Sequence, residues 1–168
     1  MAATIELSGH DVGIDDVERV AVGGESAVLG ARALEQLAAS RALIDRVVAE
    51  GTPTYGVNTG FGRFVDVHIA PEQAAQLQLN LLRSHACGVG EPFPDEVVRA
   101  ATLLRANALA KGSSGVRVEP VQLLLDLLTA GVVPVVPSRG SLGASGDLAP
   151  LAHLGLVLVG EGYARFGG

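Results

Sequence analysis

Three clusters in this 168-residue chain carry residue types able to do chemistry. The first is the glycine-rich string Gly140-Ser141-Leu142-Gly143-Ala144-Ser145-Gly146-Asp147, which runs on into Leu148-Ala149-Pro150-Leu151-Ala152-His153. Glycine loops ahead of helices often bind phosphate through backbone N–H groups. Here the glycines fall at 140, 143 and 146, which is not the dinucleotide spacing, and no Gly-Lys-Ser/Thr is present as a P-loop requires. Gly143 to Asp147 also misses the nucleophile elbow, whose fifth residue is glycine. On local pattern alone the string is a tight turn followed by a capped helix. The second cluster is Tyr55-Gly56-Val57-Asn58-Thr59-Gly60-Phe61-Gly62, and the third is Ser84-His85 within Asn80 to Pro92. Taken singly, the tyrosine reads as a packed aromatic with its hydroxyl bonded, and the histidine as a satisfied residue on an apolar helix face.

The longer string Gly140 to His153 resembles the signature of the histidine and aromatic amino acid ammonia-lyase family. The resemblance implies that the nitrogen of Gly146 attacks the carbonyl carbon of Ala144. Loss of two waters, one of them from Ser145, then leaves 4-methylideneimidazole-5-one (MIO), with no dissociable cofactor. The residue types suit that reaction. Alanine and glycine leave room for a compressed turn, and glycine adopts torsions other residues resist. Ser145 supplies the hydroxyl whose elimination creates the exocyclic methylene, and the positive end of the following helix favours charge arising on the ring.

Removing ammonia from an α-amino acid meets two obstacles: the amine leaves poorly and the β-proton is weakly acidic. An electrophile answers the first and a positioned base the second. Tyr55-Gly56-Val57-Asn58-Thr59-Gly60-Phe61-Gly62 resembles the family's tyrosine loop, which implies Tyr55 as base and Gly62 as part of the substrate contact surface. Ser84-His85 resembles the form of the selectivity position found where histidine is the substrate. Relatives acting on tyrosine or phenylalanine carry His-Leu or Phe-Leu there. A Ser-His pair suits a buried imidazole, which needs hydrogen-bonding partners. The expected catalytic set is therefore Tyr55, His85, Ala144, Ser145 and Gly146, with Tyr55, Gly62, Ser84 and His85 on the substrate. The implied reaction is deamination of L-histidine to trans-urocanate and ammonia. Alternatives are a tyrosine or phenylalanine ammonia-lyase, an MIO aminomutase, or a non-catalytic fragment.

The elements that must position these residues are mostly helices. Thr4 to Leu7 alternates as a short edge strand. Asp15-Asp16 starts a short helix that ends at Gly23-Gly24, and helical spacing from Val28 to Glu50 stops at Gly51. Pro71-Glu72 and Pro94-Asp95-Glu96 open two further helices. The first carries Ala74, Leu77, Leu81 and His85 on one face; the second ends at Gly112. Glu119-Pro120 opens another, with Leu123, Leu124, Leu127 and Leu128 buried, ending at Gly131. Val132 to Pro137 is extended, because each proline biases its predecessor away from the helical region. Asp147 is the expected N-cap of a last helix that tolerates Pro150 in its first turn. The predicted fold is mainly α with a minor β component near the N-terminus. It corresponds to the helical N-terminal part of the ammonia-lyase, fumarase/aspartase-like fold.

Hydrophobic residues make up 48% of the chain and aromatics 4%, so the core must be aliphatic. Twelve basic against eighteen acidic residues, net −6, offer no cationic surface for phosphates, which argues against nucleic-acid binding. Cys87 is the single cysteine, excluding an internal disulfide, and is expected to pack as a small buried hydrophobe. His10, His68 and His153 share no metal-ligand spacing, so no metal site is expected. Arg139 is left open as a support for the loop. The apolar run Leu148 to Gly160 is too short for a bilayer, and the first residues lack a signal-peptide pattern, so a cytoplasmic protein without membrane contact is expected. The resemblance spans residues 1–168 as one N-terminal domain, about a third of the family's chain. It implies that the central helical bundle, later substrate-binding residues and homotetramer assembly lie outside this stretch, and that these residues alone are inactive.

Overall fold

A computed structural model describes residues 4–60, 69 and 71–167 of the protein. Phe61, Gly62 and His68, and the side chains of Pro71, Glu72 and Ala74, lie outside the described residues. Strand β1 (Ile5–Leu7) leads through α1 (Ile14–Ala21) to β2 (Ala27–Leu29), which pairs with β1 in parallel, Glu6 opposite Val28. Helix α2 (Ala31–Glu50) follows, and then α3 (Pro71–His85) and β3 (Val89–Pro92). Helices α4 (Asp95–Ala110) and α5 (Val118–Ala130) precede β4 (Val132–Pro134) and β5 (Pro137–Arg139). Helix α6 (Leu148–Leu158) and β6 (Ala164–Phe166) complete the order. Strands β3 and β5 pair antiparallel, as do β4 and β6. Among the described residues no helix is long and apolar enough to cross a membrane.

The mainly helical expectation agrees with this architecture, and so do most element ends. Gly51 and Gly131 close α2 and α5 at φ 66° and 68°, the left-handed geometry that glycine adopts without a Cβ clash. Four particulars differ. Val28 belongs to β2, and the helix begins only at Ala31, because Glu6 to Leu29 of the small parallel sheet claims that backbone first. In α5 the buried set is Val121, Leu124, Leu125 and Leu128, with Leu123 exposed and Leu127 only partly buried. A run of leucines allows either helical phase, and packing against α4 selects the one containing Val121. The β component is not confined to the N-terminus, since β3–β5 and β4–β6 lie in the second half of the chain. Cys87 is exposed, because it sits in the turn after α3 rather than on the helix's packed face.

Helix α4 is the centre of the core. It buries Val98, Thr102, Leu103, Ala106 and Ala110, a stripe at helical spacing. Leu103 and Ala106 pack with Leu7, Val20, Leu37, Val121, Leu124, Leu125, Leu128 and Leu154, drawing five helices and β1 into one cluster. A partly buried charged group of this helix binds two neighbouring helix ends. Arg99 donates to the carbonyls of Val20 (2.8 Å), Ala21 (3.1 Å) and Leu128 (3.3 Å). These belong to the last turns of α1 and α5, where carbonyls have no i+4 N–H partner and the helix dipole favours a cation; the Leu128 carbonyl also accepts the Gly131 N–H.

Leu103 is fully buried at the middle of this cluster. Leu103→Ala is expected to destabilise the fold by about 2–5 kcal/mol, the range for a deleted core leucine. Urea unfolding with an unchanged slope is the measurement; a loss below about 1 kcal/mol would place the core elsewhere.

Candidate active site

The tyrosine loop is organised by Asn58, which is buried. Its carboxamide accepts the Thr54 N–H (2.7 Å) and donates to the Thr52 carbonyl (2.9 Å), bracketing the chain just ahead of Tyr55. Backbone bonds from Val57 and Asn58 to the Thr54 carbonyl close the turn. Tyr55 sits at its outer edge with more than half its surface exposed.

Helix α3 delivers the second cluster at its C-terminal turn. The His85 ring nitrogen Nδ1 lies 2.9 Å from the Leu81 carbonyl and 3.0 Å from Ser84 Oγ, which itself donates to Leu81 at 2.9 Å. A carbonyl can only accept, so Nδ1 carries the proton of the neutral ring and Nε2 its lone pair. Arg83, in the same turn, makes a two-pronged ion pair with Glu161 beyond the end of α6; this pair raises the arginine's pKa and lowers the glutamate's. The Gly88 N–H donates to Nε2 of His153 on α6 at 3.0 Å.

The triplet occupies the turn ahead of α6. Ala144 and Ser145 are exposed and Gly146 half-buried, with Gly146 at φ +70°, a conformation that costs an L-residue about 1–2 kcal/mol. Asp147 holds the N-cap position but makes no capping hydrogen bond. Its carboxylate instead accepts the Ser145 hydroxyl and pairs with Arg105 of α4 at 2.9 Å. The Ser145 hydroxyl has the largest effect and lowers its pKa below the usual carboxylate value; burial opposes this, and the nearby Arg105 charge adds to the lowering. The expected cap is thus a capping residue by position only, because two stronger partners take the side chain.

Tyr55 and His85 come together. With Leu81, Leu82, Arg105, Asp147, Leu148, Leu151 and Ala152 they line a largely apolar cavity of about 660 Å³. Ser145 and Gly146 line a neighbouring hollow that shares Arg105, Asp147 and Leu151 with it. The Arg105–Asp147 pair is therefore the common wall. Ser84 does not line the cavity; its hydroxyl is turned to Leu81 and His85. Arg105 and the His153–Gly88 bond are absent from the sequence-based set. The available signal was faint: a lone arginine between the buried Leu103 and Ala106, and a histidine ending the glycine string. Among the described residues no group of three His, Cys, Asp or Glu side chains is arranged to hold a metal.

The family model for aromatic amino acid lyases matches residues 12–168. The chain belongs to the aromatic amino acid lyase family. Among curated relatives, the histidine ammonia-lyase of Caldanaerobacter subterraneus subsp. tengcongensis is 52% identical over 98% of this chain and 32% of its own length. That of Bacillus subtilis gives the same figures. The solved histidine ammonia-lyase of Trypanosoma cruzi is 39% identical with a TM-score of 0.88 over 98% of this chain and 32% of that one. Ergothionase from Treponema denticola is 35% identical with a TM-score of 0.95, covering 99% of this chain and 33% of that one. The chain thus spans about a third of the length of the relatives it matches.

Burial lowers the pKa of His153, so between its folded and unfolded values the unfolded chain binds more protons and stability rises with pH. Acidification through the ordinary imidazole range is expected to lower the urea midpoint, and His153→Gln to remove part of that fall. Asp147, also lowered, adds a second loss further down, in the carboxylate range, that Asp147→Asn reduces. An unchanged pH profile in His153→Gln would contradict the assignment.

Proposed function

We propose that residues 1–168 form the prosthetic-group-bearing N-terminal domain of a histidine ammonia-lyase, which converts L-histidine to trans-urocanate and ammonia without hydrolysis. One observation carries the reading: Tyr55 and His85 share a cavity whose wall continues through Asp147 to the hydroxyl of Ser145. The identity to curated histidine ammonia-lyases supports the choice of substrate. A cytoplasmic homotetramer, completed by elements beyond this third of the relatives' length, belongs to the same proposal, with no nucleic-acid or membrane partner.

The triplet suits 4-methylideneimidazole-5-one: Gly146 already turns at positive φ, and the Ser145 hydroxyl is held by a carboxylate. When formed, that group supplies an electrophile that bonds the substrate and makes its amine a better leaving group. The chain's own residues do the rest. Tyr55, presented at the loop's edge, takes the β-proton. His85 offers its Nε2 lone pair to the substrate imidazole, with Leu81 and Ser84 fixing the ring's tautomer. Ser84 acts through His85. Gly62, outside the described residues, belongs to the same proposed substrate-binding set. Leu81, Leu82 and Leu151 exclude water and sharpen each of these interactions.

A second reading is an aminomutase or another aromatic ammonia-lyase, favoured by the likeness to the solved tyrosine aminomutase of Streptomyces globisporus (34% identical, TM-score 0.90, 99% of this chain and 31% of that one). Replacing Ser84→His together with His85→Leu in the whole enzyme is expected to shift preference toward tyrosine. Unchanged selectivity would weaken the histidine assignment.

In the whole enzyme Ser145→Ala is expected to abolish urocanate formation, and Tyr55→Phe to lower kcat by about 10²–10⁴-fold, the span of a lost acid–base group. Absorbance assays of urocanate read both, and full activity in either variant overturns the assigned role. The 168 residues alone are expected to give no turnover; measurable urocanate from them would contradict the need for further elements.

A further inference from the structure

The two segments that carry the chemistry are tied together at one point that lies outside the cavity. Strand β3 begins four positions after His85, and β5 ends five positions before Ala144. Val89 pairs with Arg139 at the head of their antiparallel ladder. Just before that first pair stands Gly88, and just after it Gly140. The two approach so closely that a Cβ on Gly140 would lie 2.9 Å from Gly88 Cα. A Cβ on Gly88 would lie 2.9 Å from His153 Nε2 and 3.2 Å from Pro137 Cβ. Gly88 is thus enclosed by α6, β5 and the start of the triplet loop, and its N–H ends on His153.

We propose that His153 is a positioning residue: by accepting the Gly88 N–H it fixes the His85 end of α3 against the base of the loop that carries Ala144-Ser145-Gly146. The inference rests on the lyase reading above and names a further residue for the same site. His153 touches neither the cavity nor the neighbouring hollow that holds Ser145. Its Nε2 must be unprotonated to accept, a state that partial burial favours. A second tether, Arg83 to Glu161, also joins α3 to the far end of α6. An ion pair exposed to that degree tolerates sliding, whereas a backbone N–H in a crowded niche does not. This bond, with little room for Gly88 to shift, helps the β3–β5 pairing set the separation of His85 from the triplet.

The test compares His153→Leu, which removes the acceptor, with His153→Gln, whose carboxamide oxygen reaches the same place. Both are made in the whole enzyme, with kcat and KM for L-histidine measured per folded, assembled molecule and Gly88 amide exchange followed in parallel. Leu is expected to lower kcat/KM by on the order of 10²-fold, the scale of a displacement near 1 Å at a reacting centre, and to speed exchange at Gly88. Gln is expected to recover most of both. If Leu prevents folding, His153→Ala serves in its place, since it removes the acceptor without adding bulk beside Gly88 and Pro137; the same loss is expected. A folded variant without the bond that keeps wild-type kcat/KM overturns the proposal, as does failure of Gln to restore activity alongside restored protection. Absence of turnover in the wild-type enzyme would instead sink the lyase reading, while exchange at Gly88 still reports whether His153 holds that segment.

Discussion

The ladder between Val89–Pro92 and Pro137–Arg139 is the constraint on which the site depends. It joins the end of helix α3, with His85, to the loop that ends in Ala144-Ser145-Gly146. Helices α3 and α6 also pack together, with Leu82 close against Gly155. The pairing runs from Val89–Arg139 to Pro92–Pro137 with a register shift between them, and the crowded Gly88–Gly140 approach sets the spacing between the strands at its head. Around this point α4 contributes from the other side: Leu103 and Ala106 anchor it in the core, and Arg105 reaches Asp147.

The same geometry explains how one carboxylate serves two purposes. Asp147 begins α6, where a negative charge is favoured by the helix dipole, yet it spends its oxygens on Ser145 and Arg105 rather than on capping. A residue that looks like routine helix punctuation thereby links the core helix α4 to the triplet's hydroxyl. The cavity lined by Tyr55 and His85 opens on the other face of that link. Tyr55 and His85 on one side of this shared wall and Ser145 and Gly146 on the other are the residues proposed for the chemistry.

Much of the fold was legible because helix ends in this chain are written in proline and glycine. Pro94-Asp95-Glu96 and Gly131 mark α4 and α5 to within a residue or two. Strand β3 was not legible: Val89-Gly90-Glu91-Pro92 is exposed throughout and lacks alternation, so only its partner makes it a strand. The leucine run of α5 was ambiguous in phase for the reason that apolar residues fill both candidate faces. Tyr55, His85 and the triplet were singled out through a resemblance to a family signature rather than through spacing, while Arg105 and His153 needed tertiary contacts to be noticed. Cys87 shows the opposite limit, since residue type predicted burial and a turn placed it at the surface.

The central claim is that Ala144-Ser145-Gly146 becomes the electrophile. Mass spectrometry of the peptide spanning these residues, taken from the active enzyme, tests it most directly. The account predicts a mass lower by two waters than the sequence requires, with the loss confined to the triplet. A peptide of unmodified mass from an enzyme that turns over L-histidine would contradict it.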